Sequence, residues 1–238
     1  MSNSALNKIN NGIKQHGLLY FIKLNFTEQI FKQKFKKLSV YYTVNNIAKE
    51  VINKDALNKD SKINQASPYY EIKKAFSFTG IKYQDINLLD IGCGSGKVLN
   101  FGMMLNFNEV IGIDLDELAI KDATINCQQM QKNGYSTPFS IFKSDATTFT
   151  IPPGINVIYL FNPFGKITMK YVVDNIIEYY EREKKEMYII YSIPIHQDLF
   201  IAHKEFIKVY ERLNGSKTKY EMAIFKIGKT DFYQLLSS

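Results

Sequence analysis

The chain has 238 residues, 45% of them hydrophobic, and a formal net charge of +7. That length suits one core domain with an appendage, and the composition is that of a globular protein rather than a disordered or fibrous one. The two cysteines, Cys93 and Cys127, lack paired spacing and have no histidine cluster nearby, which excludes a disulfide or zinc framework and fits a reducing compartment. No apolar run reaches the ~18 residues that a bilayer span needs. The patch from Leu18 to Ile22 is ended by Lys23 and is too short for a signal peptide, so the expected location is cytoplasmic.

Charge is unevenly placed. Residues 1–54 hold nine lysines against Glu28 and Glu50, so the whole positive excess sits there and the remainder is neutral. Residues 1–17 read as frayed. From Gly17 to Leu38 the apolar residues Leu18, Phe21, Ile22, Leu24, Phe26, Ile30, Phe31, Phe35 and Leu38 recur at steps of three and four, which predicts an amphipathic helix with a lysine face. More helix and then a polar loop are expected over 41–63. Pro68 breaks the pattern, and Tyr69 to Phe78 reads as a helix leading into the core. The division is therefore a basic helical extension over 1–65 and a core domain over 66–238. Such an extension suits a cap on the core, an anionic membrane surface or an acidic partner. No RNA-binding signature accompanies it and the core is neutral, so nucleic acid is not favoured.

From there strands and helices alternate. Strands are expected at about 86–91, 109–114, 139–144, 155–161, 187–193, 206–213 and 220–227, with helices at about 96–106, 116–132, 167–184 and 197–204. Alternation of this kind builds a parallel sheet with helices on both faces, and Asn214-Gly215 signals a terminal hairpin that supplies one antiparallel edge strand. The fold class is α/β, a Rossmann-like seven-stranded sheet, mostly parallel, with an antiparallel seventh strand.

The most informative segment closes the first strand: Asp90-Ile91-Gly92-Cys93-Gly94-Ser95-Gly96-Lys97. Three alternating glycines between a strand and a helix bring bare backbone against a ligand. A dinucleotide fingerprint requires glycine where Lys97 stands, and a P-loop requires Ser or Thr where Val98 stands, so neither pattern holds. Asp-x-Gly-x-Gly-x-Gly remains. The second strand ends on Asp114, 20 residues beyond Gly94, where a carboxylate offers two acceptor oxygens to the two hydroxyls of a ribose. The third ends near Asp145-Ala146 and the fourth runs into Asn162-Pro163-Phe164-Gly165.

These residues resemble the motifs of class I S-adenosylmethionine-dependent methyltransferases, over roughly residues 66 to 230. Asn162-Pro163-Phe164 is similar to the Asn/Asp-Pro-Pro-aromatic motif of amino-group methyltransferases, and to the Tyr/Phe-Asn-Pro-Phe motif of bacterial members without an assigned acceptor. The resemblance implies S-adenosylmethionine as cofactor, held by Asp90, Gly92, Cys93, Gly94, Gly96, Asp114 and Leu115. It also implies Asp145 and Ala146 against the adenine, Asn162 beside the methyl, and Tyr70 from the segment that folds over the cofactor. One proline rather than two follows Asn162, which leaves an oxygen acceptor open beside an amine.

Methyl transfer from a sulfonium is an in-line displacement that needs alignment and exclusion of water rather than a metal or a carboxylate dyad. Asn162 and the Pro163 carbonyl are suited to accept hydrogen bonds from an acceptor amine. Phe164 is suited to cover it, or else to pack in the core. His196, just past the fifth strand, is placed to take a proton, or else to make local helix-start bonds. Cys93 reads as a loop filler and Lys97 as a surface residue. The alternative from another class is a non-catalytic S-adenosylmethionine-binding scaffold or sensor. Aminopropyl transfer is disfavoured because residues 162–170 contain no acid to hold a polyamine. Protein lysines, amino sugars and small metabolites all fit as acceptors, and the oligomeric state is open.

Overall fold

The computed structural model describes residues 17–42, 68–161, 164–213 and 220–228. The expected helix over 41–63, the division at residue 65, and Asn162 and Pro163 lie wholly or largely outside them. Among the described residues, two α-helices precede the sheet, α1 (Leu18–Lys37) and α2 (Tyr69–Phe78). Then follow β1 (Asn87–Ile91), α3 (Lys97–Met104), β2 (Glu109–Asp114), α4 (Glu117–Lys132), β3 (Phe139–Lys143) and β4 (Val157–Phe161). The chain continues through α5 (Lys166–Glu183), β5 (Met187–Ser192), α6 (Asp198–Ile201), β6 (Phe206–Leu213) and β7 (Tyr220–Ile227).

The seven strands form one sheet in the order β3-β2-β1-β4-β5-β7-β6. All pairs among β1 to β5 are parallel, and β7 runs antiparallel to both β5 and β6. This corrects one expectation: the antiparallel strand is not at the edge. Its run Met222-Ala-Ile-Phe225 is buried throughout, so it needs a neighbour on each side. Half-exposed β6, with Lys208, Val209 and Glu211 exposed, can face water along one side.

Successive strand residues alternate between two cores. Leu88, Val157 and Tyr159 join a cluster with Phe76, Phe101 and Met130, under α2, α3 and α4. Leu89, Ile158 and Leu160 join Met169, Val173, Ile176 and Phe200, under α5 and α6. Helix α1 adds Phe35 to the first cluster. Phe31 and Phe35 lie 5.1 and 5.3 Å from the buried ring of Tyr69, and Phe31 lies 5.1 Å from Phe101.

Strand order reverses between β1 and β4, and Ile91 at the end of β1 is in register with Leu160. Such a switch point is where open α/β sheets take up ligands. No helix among the described residues is long and apolar enough to cross a membrane.

Candidate functional site

The glycine loop is shaped by its neighbour β2. The N–H groups of Gly92 and Cys93 both donate to the Ile113 carbonyl, at 2.9 and 3.0 Å, and the Gly94 N–H donates to Asp114 Oδ2 at 2.8 Å. Gly92 and Gly96 take φ of +82° and +80°, left-handed values that carry little cost only for glycine. Asn100 N–H then closes on the Gly96 carbonyl at 2.9 Å, and α3 begins.

Two carboxylates stand at this turn. Asp90 is buried, and its pKa is pushed well above the ordinary range, first by that burial and then by the nearby Asp114 charge. Burial also raises Asp114, opposed by hydrogen bonds from the Asp116 and Gly94 N–H groups. Asp116 N–H donates to Asp114 Oδ1 at 2.9 Å, so both oxygens of Asp114 are fixed before any ligand arrives. Leu115 beside it is partly exposed, as a residue covering a flat ring would be. Beyond β3, Asp145 Oδ1 accepts from the N–H and hydroxyl of Thr147, both at 2.8 Å. Ala146 is buried, with its carbonyl accepting from Asn175 Nδ2 at 3.2 Å.

Lys97 is not the surface residue expected from the sequence. Only 11% of its side chain is accessible. Its ammonium lies 3.9 Å from the Tyr69 ring centroid and 3.7 Å from Glu28 Oε2 of α1. Burial lowers its pKa to about 8, against the opposing pull of Glu28. The sequence reading missed this because Glu28 lies 69 residues away, on an element whose docking position local pattern does not reveal. The Glu28 carboxylate also accepts from the Tyr69 N–H. The cation beside the loop is therefore spoken for, and the loop presents two carboxylates. That electrostatics opposes a phosphate and suits a ligand carrying a sulfonium and an ammonium group, so the residues present fit S-adenosylmethionine.

Two further residues shape the loop without having been expected to. Gly112 lies in mid-strand β2, where an added Cβ would sit 2.7 Å from Leu99 Cδ1 and 2.9 Å from Cys93 Sγ. Asn126 on α4 donates to the Ser95 carbonyl at 3.0 Å and to the Tyr41 carbonyl at 2.7 Å, and accepts from Tyr41 N–H at 3.1 Å. A glycine inside an apolar strand was the available signal for the first; nothing in the sequence marked the second.

The other expected residues are distributed as follows. Cys93 is buried and burial pushes its thiol pKa up, which fits a filler. Tyr69 lies inside the aromatic stack, whereas Tyr70 is half-buried with its ring edge-on to Tyr20 at 5.4 Å. Phe164 is buried in the cluster under α5, which favours packing over contact with an acceptor. His196 is half-buried just past β5, its N–H 3.4 Å from the Tyr191 hydroxyl. The chain reaches it through Ile193, whose φ of +50° is rare for a β-branched residue.

Residues 77–153, which contain the glycine loop, Asp114 and Asp145, match the ribosomal protein L11 methyltransferase family (PrmA). With that loop geometry, the match decides the assignment. The chain is a class I methyltransferase. Its cofactor is S-adenosylmethionine. No curated protein matches the chain. Among solved structures, the methyltransferase shares its fold with a candidate RNA methyltransferase from Pyrococcus horikoshii, at 17% identity and a TM-score of 0.52, covering 84% of this chain and 98% of that one. A candidate methyltransferase from Escherichia coli gives 15% identity and a TM-score of 0.54, over 70% and 90%. A human methyltransferase 10 domain-containing protein gives 12% and 0.53, over 87% and 96%.

Proposed function

We propose that this methyltransferase methylates an amine nitrogen, with the acceptor entering beside the end of β4. The observation that supports the reading is the switch point. Ile91 and Leu160 are in register, so residues 162 and 163 follow directly on the strand adjoining the glycine loop. On this reading the Asn162 side-chain oxygen and the Pro163 carbonyl accept hydrogen bonds from the amine and aim its lone pair. S-adenosylmethionine, when bound, supplies the methyl on an electrophilic sulfonium. Asp114 holds the ribose hydroxyls, Asp90 faces the cationic end, and Gly92, Cys93, Gly94 and Gly96 give backbone approach. Leu115, Asp145 and Ala146 border the adenine, and Tyr70 closes the site from α2. Phe164 props the β4 loop from beneath, and His196 takes the proton the amine releases. The domain division proposed with it is 1–65 for the extension and 66–238 for the catalytic unit.

The ribosomal protein L11 family and the candidate RNA methyltransferase differ in the acceptors their names state, a protein in one case and RNA in the other. The amine here is accordingly sought in both. The test incubates the purified chain and tritiated S-adenosylmethionine with ribosomal particles and with a small-amine panel. Label recovered as N-methyl amine after acid hydrolysis is expected. Ribonuclease-released label assigns a nucleobase amine, and protease-released label a protein one. An O-methyl product overturns the amine reading, and binding of S-adenosylhomocysteine with no transfer to any acceptor favours the scaffold alternative. Asn162→Ala should keep S-adenosylhomocysteine affinity and lose at least about a hundredfold in kcat, since it removes only positioning. A variant with full turnover removes Asn162 from the mechanism.

A further inference from the structure

Helix α1 carries a second apolar face that stays exposed and outside the core clusters of the described residues. Phe31 and Phe35 turn inward onto Tyr69, and the only acid of the helix, Glu28, turns inward to Lys97 and the Tyr69 N–H. At 100° per residue, Leu18, Leu19, Ile22, Phe26 and Ile30 fall together on the opposite side, and they are 46% to 75% exposed. Single exposed apolar side chains are ordinary; five in one strip, at i, i+4 spacing, are a patterned surface. The amphipathic helix expected from the sequence is thus apolar on two sides. Its lysines form a border rather than a face: Lys23 and Lys34 run along one edge of the strip, Lys32 along the other, and Lys36 and Lys37 close its C-terminal end. All five are exposed.

We propose that this outer face of α1 docks on an anionic lipid surface, lying in the interface with Leu18, Leu19, Ile22, Phe26 and Ile30 inserted and the lysines at headgroup level. Charge complementarity selects the occupant. An apolar strip framed by five cations and free of acids fits a surface that is apolar beneath and negative above. A strip about 18 Å long and about 10 Å wide presents on the order of 200 Å², far below the ~800 Å² per partner of a stable protein interface, whereas a bilayer sets no such threshold. Four of the five inserted side chains are aliphatic and offer no ring on which nucleobases stack, which argues against single-stranded nucleic acid as the occupant. The docking is independent of the acceptor proposed above.

The test is sedimentation of the full chain with vesicles of phosphatidylcholine alone and of phosphatidylcholine with about 30% phosphatidylglycerol. Binding to the anionic vesicles is expected, at least tenfold stronger than to neutral ones and weakened by salt. Phe26→Glu and, separately, Leu19→Glu should each reduce it tenfold or more, and each of Lys23→Gln and Lys34→Gln about fivefold, the effect of one lysine at such a surface. Because these side chains are exposed, the variants should keep the wild-type circular dichroism and S-adenosylhomocysteine affinity. Equal binding to both vesicles, or none to either, overturns the proposal. So does anionic binding that Phe26→Glu leaves intact, which would assign it to diffuse charge. Concentration-dependent self-association abolished by Phe26→Glu, without vesicle binding, would make a second copy of the chain the occupant instead.

Discussion

Asp114 and Gly112 act on the same loop in opposite senses, one by offering atoms and the other by withholding them. Asp114 Oδ2 already accepts from Gly94 N–H and Oδ1 from Asp116 N–H, so its carboxylate is oriented without the ligand. Asp114→Ala removes that anchor and, on the proposed reading, leaves the ribose hydroxyls without a partner. Hydrogen bonds to a charged group contribute about 1.5–3 kcal/mol each, so titration calorimetry should show S-adenosylhomocysteine affinity falling by roughly a hundredfold. Unchanged affinity would exclude Asp114 from the site. Gly112→Ala places a methyl against Leu99 Cδ1 and the Cys93 side chain. Overpacking costs about 1–3 kcal/mol, which in a chain this long lowers Tm by roughly 3–10 °C. Because Cys93 belongs to the loop, cofactor affinity should fall with it; a variant with native Tm and affinity would show that the contact relaxes freely. The place of Asp114 at the end of β2, beside the glycine loop, was legible in the sequence because an apolar run closing on an acid marks a strand end. Asn126 was not, because its partners, Ser95 and Tyr41, lie 31 and 85 residues away.

At the scale of elements, the strands and helices of the core were legible because each carries its own period and punctuation. What escaped was placement: which side of β5 the hairpin returns to, and where α1 lands. The buried run of β7 against the charged alternation of β6 did encode the first. The second rests on Glu28 meeting Lys97 and Tyr69, a meeting of three segments. That contact has a pH signature. Burial lowers the Lys97 pKa to about 8 from the 10.5 of a free side chain. Between those values the unfolded chain binds the proton more tightly than the folded one, so the Lys97 contribution to stability rises as pH increases from about 8 toward 10.5. Measured against Lys97→Met, the wild type should therefore gain Tm between pH 8 and 10; a constant difference would place Lys97 in solvent. Glu28→Gln alone, which strands the lysine, should destabilise more than Glu28→Gln combined with Lys97→Met, since removing one partner of a buried pair costs more than removing both.

On the scale of the whole molecule, the described N-terminal helices meet the last strands through the stack of Phe78 on Tyr210, 3.8 Å apart, and through one guanidinium that joins three elements. Arg212 of β6 lies 2.5 Å from Glu71 of α2 and 3.0 Å from Glu221 of β7, and its head sits 5.2 Å from the Tyr20 ring of α1. The Tyr20 hydroxyl donates to the same Glu71. Glu71 is almost fully buried, so its charge depends on this cluster for compensation. Arg212→Met preserves most of the side-chain volume and strands that carboxylate. Breaking a buried pair this way costs about 3–5 kcal/mol, or roughly 6–20 °C in Tm. Hydrogen exchange should show the loss in α1, α2, β6 and β7 together, with β1 to β4 and their helices less affected, because Tyr20, Glu71, Arg212 and Glu221 lie on those four elements. Adding Glu71→Gln separates the two possible origins. If the cost is stranded charge, the double variant recovers much of the lost stability. If it is the guanidinium packed on Tyr20, the double variant is no better than Arg212→Met alone. Recovery, with protection returning to all four elements at once, would establish that charge compensation at Glu71 adds to the apolar packing that joins the first described helices to the last strands.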